Sequence, residues 1–192
     1  MVDDILEAAA RVLVQEGFDA MNTNRVAEIA GVSVGSLYQY FPHKSALIAE
    51  LIDRRADDER AFMQAWIAQL PAGSLEEVLE ATVRGALAFR AQAPELHGAL
   101  IEQLPHIGRF APLRRRVEEA AAGLYPLLDA HRERLPDQDV GRAAFVLVNA
   151  IHSLTHDGIL PRPEGLGDEE LIAAAMALVR GYLLPVAVDT GR

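Results

Sequence analysis

Thr23-Asn24-Arg25-Val26-Ala27-Glu28-Ile29-Ala30-Gly31-Val32-Ser33-Val34-Gly35-Ser36-Leu37-Tyr38-Gln39-Tyr40-Phe41-Pro42-His43-Lys44 reads as two short helices pivoting on a glycine. Thr23 is a suitable N-cap for the first, and Val26, Ala27, Ile29 and Ala30 give that helix one apolar side. Gly31 can supply the left-handed backbone that a tight inter-helix turn needs. Ser33 then caps a second helix, in which Leu37 and Phe41 point inward while Val34, Ser36, Gln39, Tyr38 and Tyr40 face outward. Pro42 stops it, because the residue before a proline is pushed out of the helical region. The pattern predicts a helix-turn-helix that presents short polar groups and phenols to a DNA groove.

The same residues carry a family resemblance. Val26-Ala27, Ala30-Gly31-Val32-Ser33, Gly35-Ser36-Leu37-Tyr38, Tyr40-Phe41 and Lys44 stand where the DNA-binding segment of the tetracycline-repressor (TetR) family has its pattern. Upstream, Ile5-Leu6-Glu7-Ala8-Ala9 followed by Glu16-Gly17-Phe18 resembles that family's first helix and its glycine stop. Two departures stand out. Val34 occupies a place where the family often has a basic residue or a proline, and Met1-Val2-Asp3-Asp4 stands where many members carry a basic arm, so the arm is either lacking or cut off. The resemblance implies an all-α protein of about nine helices. A helix-turn-helix domain would fill residues 1–45, and an effector-binding and dimerisation domain residues 46–192.

Composition sets the frame for this reading. The chain has 192 residues, is 51% hydrophobic and lacks cysteine, so it can bury a sizeable core but has no disulfide, thiolate nucleophile or cysteine-ligated metal. No apolar run reaches the ~18 residues of a membrane span, and a cytoplasmic protein is expected. The net charge of −10 argues at first against a nucleic-acid partner, since phosphate neutralisation by lysine and arginine carries non-specific affinity. Residues 1–45 hold three bases against six acids, but the stretch 22–45 holds two bases against one. Weak non-specific binding follows, with specificity resting on hydroxyls, backbone amides and a few bases. Gln39 can pair bidentately with adenine, Val34 can meet a thymine methyl, and Ser36 is small enough to let the helix approach. Thr23, Arg25, Ser33, Gly35, Tyr38, Tyr40 and Lys44 complete the candidate DNA-binding set, several of them as phosphate contacts that fix register.

Beyond the turn, helical periodicity continues with no strand-like alternation. One long helix is predicted from His43 to about Leu70, a capping box at Ser74-Leu75-Glu76-Glu77 opens a helix to about Gln92, and Pro94 starts a short one ending near Pro105. A helix from Pro112 to Leu135 contains Gly123 and Pro126 and should kink near Ala122. Further helices are expected from Asp137 to Ile159 and, capped by Asp168, to Leu184. The last two are so rich in apolar residues that a four-helix contact with a second copy is the economical explanation; Val148, Ile151, Leu178 and Tyr182 are its candidates. An apolar or aromatic small-molecule effector is expected among Trp66, Phe89, Phe110, Tyr125 and Phe145, with Asn149 or His152 orienting a polar group. His152 and His156 lie four apart and invite a metal, but no third or fourth ligand completes a site, which leaves core or pocket histidines; no metal and no cofactor is expected. His97, His106 and His131 read as solvent or packing residues, and Arg114-Arg115-Arg116 as a solvated patch.

The reading is a homodimeric regulator, a repressor by preference, on a palindromic operator, released by a small molecule, and not an enzyme. Its rivals are an all-α enzyme using Asn149, His152 and His156, and a ligand-binding module that has lost DNA binding.

Overall fold

The computed structural model describes residues 1–69, 73–104, 110–135, 139–155 and 163–183. Among them are nine α-helices and no strand: α1 (Val2–Ala20), α2 (Thr23–Ala30), α3 (Val34–Tyr40), α4 (Lys44–Ala68), α5 (Leu75–Ala91), α6 (Pro94–Gln103), α7 (Phe110–Asp129), α8 (Val140–Thr155) and α9 (Asp168–Leu183). A short 3₁₀ turn at Arg132–Arg134 follows α7.

Two apolar cores organise these helices. The first gathers Ile5, Leu6, Ala9, Val12 and Leu13 of α1, Val26 and Ala27 of α2, Leu37 of α3 and Leu47, Ile48, Leu51 and Ile52 of α4. Leu100 of α6, far along the chain, is buried in this same core, with Leu96, Ala99 and Leu104 packed against it. The second core joins α5, α7, α8 and α9 through residues such as Leu79, Val83, Leu124, Leu128, Leu147, Ala175 and Val179. Helix α4 runs from one core to the other, its first half buried in the N-terminal unit and its second half lying against α5.

Local chemistry explains most helix ends. Gly17 interrupts α1 at φ 76°, and Gly31 ends α2 at φ 66° with its N–H on the Glu28 carbonyl at 3.2 Å and Val32 N–H on Ala27 at 3.0 Å. The capping box forms as read: Glu77 N–H donates to Ser74 Oγ at 3.3 Å and Ser74 N–H to Glu77 Oε2 at 2.7 Å.

Four boundary readings need correction. The cap of α2 is Asn22, whose Oδ1 accepts from Arg25 N–H at 2.9 Å, so Thr23 is the first helical residue and its hydroxyl is released for another partner. Asp168 is likewise inside α9 rather than capping it. Helix α7 remains α-helical through Pro126 and gives way only after Asp129, short of Leu135. Helix α8 starts at Val140, where Asp139 Oδ1 accepts from Arg142 N–H at 2.8 Å. The predicted ends near Leu70, Pro105, Ile159 and Leu184 reach into residues outside the described ones.

Candidate DNA interface and effector cavity

Helix α3 is seated by its apolar residues. Leu37 is fully buried and Phe41 nearly so, which fixes the helix on α1, α2 and α4 and turns the opposite side to solvent. On that side Val34, Gly35, Gln39, Tyr38 and Tyr40 are exposed, the two phenols at 48% and 47%. Exposed tyrosines flanking a glutamine on one short helix have no packing role to explain them. Ser33 caps the helix, its Oγ accepting from Ser36 N–H at 3.0 Å and lying 2.8 Å from the Ser36 hydroxyl. Thr23 Oγ1 lies 2.9 Å from the Tyr38 hydroxyl, so the start of α2 positions this phenol. A Cβ at Gly35 would meet only Ser33 Oγ, at 3.8 Å. Nothing within the fold demands glycine there, as a position kept bare for an approaching partner requires.

The bases around this face are largely engaged. Arg25 donates to Glu28 at 2.8 Å and lies 3.7 Å from Glu16, and these carboxylates, Glu28 first, hold its pKa above the ordinary arginine value. Lys44 Nζ donates to the carbonyl oxygens of Phe18 at 2.8 Å and Asp19 at 3.3 Å and sits 4.4 Å from the Phe18 ring centroid. Lys44 therefore ties the start of α4 to the end of α1, a structural task that its reading as a phosphate contact did not include.

The second site is a cavity of about 530 Å³ between α4, α5, α6, α7 and α8. Ile52, Ala56, Met63 and Ile67 of α4, Leu100, Ile101 and Leu104 of α6, and Leu124, Leu127, Val148 and Ile151 of α7 and α8 make a wall that is mostly aliphatic. Arg55, Glu59, Arg90, His97 and His152 interrupt it, while Arg60, Asp57 and Glu119 form a more exposed charged group. Arg55 lies over Phe89, its guanidinium carbon 3.8 Å from the ring centroid, and donates to the Phe89 carbonyl at 3.0 Å. Arg90 is buried and lies 3.8 Å from Glu59.

The DNA face and the α5 to α8 walls of the cavity fall within regions shared with known proteins, while the α4 wall lies between them. Residues 5–51 match the model of bacterial regulatory proteins of the tetR family, and residues 74–183 match that of the tetracyclin repressor-like C-terminal domain. The chain belongs to the TetR family. A putative transcriptional regulator from Pseudomonas aeruginosa PAO1 superposes with a TM-score of 0.74 at 22% identity, over 94% of this chain and 89% of that one. A TetR-family regulator from Streptomyces coelicolor gives 0.63 at 27% identity over 95% and 96%. The nucleoid occlusion factor SlmA of Haemophilus ducreyi is 45% identical over 51 residues, which is 27% of this chain and only 25% of that protein. The chain is thus a DNA-binding transcriptional regulator with a ligand-binding C-terminal domain.

Within this TetR frame the pocket reading changes substantially. Of the six expected lining residues whose side chains are described, only His152 borders the cavity. Trp66 stacks on Phe62 with 5.6 Å between centroids, Phe89 lies tilted against Phe62 at 5.4 Å, and Trp66 Nε1 donates to Ala81 O at 2.9 Å. Tyr125 and Phe145 point outward, Asn149 is exposed with its amide on the Phe145 carbonyl at 2.8 Å, and the Phe110 side chain lies outside the described residues. Among the described residues the lining is aliphatic and charged, with the His97 and His152 imidazoles but no Phe, Tyr or Trp. Gly123 and Pro126, noted as unfavourable within α7, do border the space.

The dimer set also divides. Ile151 is buried and faces the cavity, as does the half-buried Val148, whereas Tyr182 packs partly against the second core. Leu178, 58% exposed, and Phe145, 50% exposed, are the large apolar side chains left open on α8 and α9. Sequence reasoning missed Arg55, Arg90 and His97. The signal was present for Arg55: Ile52, Arg55, Glu59 and Met63 continue the buried stripe of α4 at helical spacing, so charges there face inward. Arg114 and Arg115 form exposed pairs with Glu118 and Glu119, as a solvated patch should; His106, His156 and the Arg116 side chain lie outside the described residues. Among the described residues no group of three or more His, Asp or Glu side chains could hold a metal, and no helix is long and apolar enough to cross a membrane.

Proposed function

We propose that the protein is a homodimeric repressor that holds a palindromic operator through α3 and releases it when a small molecule fills the cavity. The outward face of α3 carries this reading: exposed Tyr38, Gln39 and Tyr40 on a helix whose other side is locked into the first core. Gln39 reads a base edge, Tyr38 and Tyr40 hold phosphates, Ser36 and Gly35 allow close approach, and Val34 supplies an apolar contact. Residues 1–45 act as the DNA-binding domain and residues 46–192 as the effector and dimer domain. The boundary is bridged by α4 and α6, which contribute to both. The dimer forms on the open faces of α8 and α9, around Phe145 and Leu178.

Release follows from shared residues. Leu100 belongs to the first core, which seats α1, and also borders the cavity; Ile52 does the same from α4. A ligand that repositions either therefore changes how the reading heads are held, and half-site spacing tolerates little change. Electrophoretic mobility shift with the DNA upstream of the gene, with Gln39→Ala and Tyr38→Phe as comparison, tests this reading. A specific shift by the wild type that is weakened in both variants supports it; the absence of any sequence-specific shift would falsify it.

A further inference from the structure

We propose that the effector is an aliphatic monocarboxylate whose acid group is anchored by Arg55 and whose hydrocarbon body fills the space between α6, α7 and α8. The proposal rests on the cavity being the effector site.

The wall selects the body of the ligand. Leu100, Ile101, Leu124, Leu127, Val148 and Ile151 offer branched aliphatic surface, and among the described residues no Phe, Tyr or Trp joins them, so a flexible hydrocarbon gains most from burial there. A volume of about 530 Å³ lies within the usual range of small-molecule sites.

Arg55 selects the head. Its terminal NH2 is used by the Phe89 carbonyl, but its Nε is buried and has no hydrogen-bond partner among the described residues. A guanidinium presents its donors as a fixed fork, and contact with the Phe89 ring and carbonyl holds that fork in place. Burial lowers the pKa of Arg55, against which the charges of Glu59 and Asp58 act in the opposite direction. A buried donor without an acceptor is completed by an oxygen anion, and a carboxylate oxygen accepts a charge-assisted hydrogen bond from Nε–H. Glu59, the carboxylate facing this part of the wall, already lies beside Arg90. An amine ligand directed at Glu59 would bring its charge up to both arginines. Arg60, Asp57 and Glu119 form a separate, exposed group in which Glu119 also pairs with Arg115.

Calorimetric titration with decanoate, decanol and decylamine, on the full-length wild type and on Arg55→Met, tests the assignment. Decanoate should bind the wild type about tenfold or more tighter than decanol, the ratio that one charge-assisted hydrogen bond confers. Decylamine should bind more weakly than either. In Arg55→Met the preference for decanoate over decanol should disappear while decanol affinity is kept. The ligand series on the wild type decides the matter even if the variant fails to fold. Equal binding of decanoate and decanol, or tighter binding of decylamine, overturns the carboxylate assignment while leaving the cavity as a ligand site. Failure of all three to bind overturns the proposal outright. Preferential decanoate binding that leaves operator affinity unchanged keeps the carboxylate site and sinks the effector reading instead.

Discussion

Gly85→Ala sets two opposed effects against each other at one position, and the structure decides between them. Gly85 is buried in the middle of α5, where alanine would ordinarily gain about 1 kcal/mol in helix propensity. A Cβ at Gly85, however, would stand 2.9 Å from Trp66 Cδ1, 3.0 Å from Nε1 and 3.1 Å from Met63 Sδ. Met63 can swing, but the indole is held between its hydrogen bond to Ala81 O and the Phe62 ring. Overpacking of this kind costs about 1–3 kcal/mol, and loss of the indole hydrogen bond about 1 kcal/mol more. The balance is a net destabilisation of about 1–3 kcal/mol, equivalent to roughly 2–4 °C in Tm for each kcal/mol in a chain of this length. Gly98→Ala is the control, since Gly98 lies within α6 and a Cβ there meets nothing within 4 Å; it should be neutral or raise Tm. Thermal unfolding with tryptophan emission measures both effects, because Trp66 is the single tryptophan and should shift to the red only in Gly85→Ala. A stabilised Gly85→Ala with unchanged emission would refute the close packing of α4 on α5.

Three further outcomes are expected. Leu178→Glu should leave the monomer fold intact, because the side chain is exposed, but should halve the mass seen by sedimentation equilibrium; Ile151→Glu should unfold the protein instead, because that residue faces the interior. Glu76 is bonded by both terminal nitrogens of Arg134 at 2.9 Å, and this contact first of all holds its pKa below the ordinary 4.5. A depressed carboxylate pKa contributes stability that is present above that ordinary value and is lost as pH falls through the folded-state value, so Glu76→Gln should lower Tm at pH 7 and flatten its decline below pH ~4.5. Thr23→Val should weaken operator binding with no loss of Tm, by freeing the Tyr38 hydroxyl from its positioning partner, and fluorescence anisotropy with labelled operator reads the effect.

The two sites differed in how far the sequence revealed them, and the reason is physical. The DNA face is local: Gly31, Ser33, Leu37 and Phe41 set its turn, cap and seat within eleven residues, so periodicity and capping rules reach it directly. Even there the cap fell one residue early, because Asn22 and Thr23 are both competent and only the backbone chooses. The cavity is assembled from five helices, and no local pattern states which aromatic turns inward. Trp66 and Phe89 are taken up by ring contacts with Phe62 between α4 and α5, and Phe145 sits on the outer side of α8, so the ring count in the sequence misled. Charges on the inward stripe of α4 were the better guide.

The link between the sites can be weighed against the work that release demands. Lowering operator affinity a hundredfold needs a ligand to favour the released state by about 2.7 kcal/mol, two factors of ten. Burying one leucine side chain is worth about 1.5–3 kcal/mol. Leu100 is buried in the core that holds α1 and borders the ligand space on its other side. Moving that one side chain out of register therefore alters the seating of the DNA-binding unit by an energy of the required size, without rearranging the rest of the bundle. Arg25 and Lys44 strengthen the effect. With one paired to Glu28 and the other held by carbonyls of α1, little unspecific phosphate attraction remains to keep a misaligned dimer on DNA. A reading head that depends on geometry more than on charge is one that a small displacement can release.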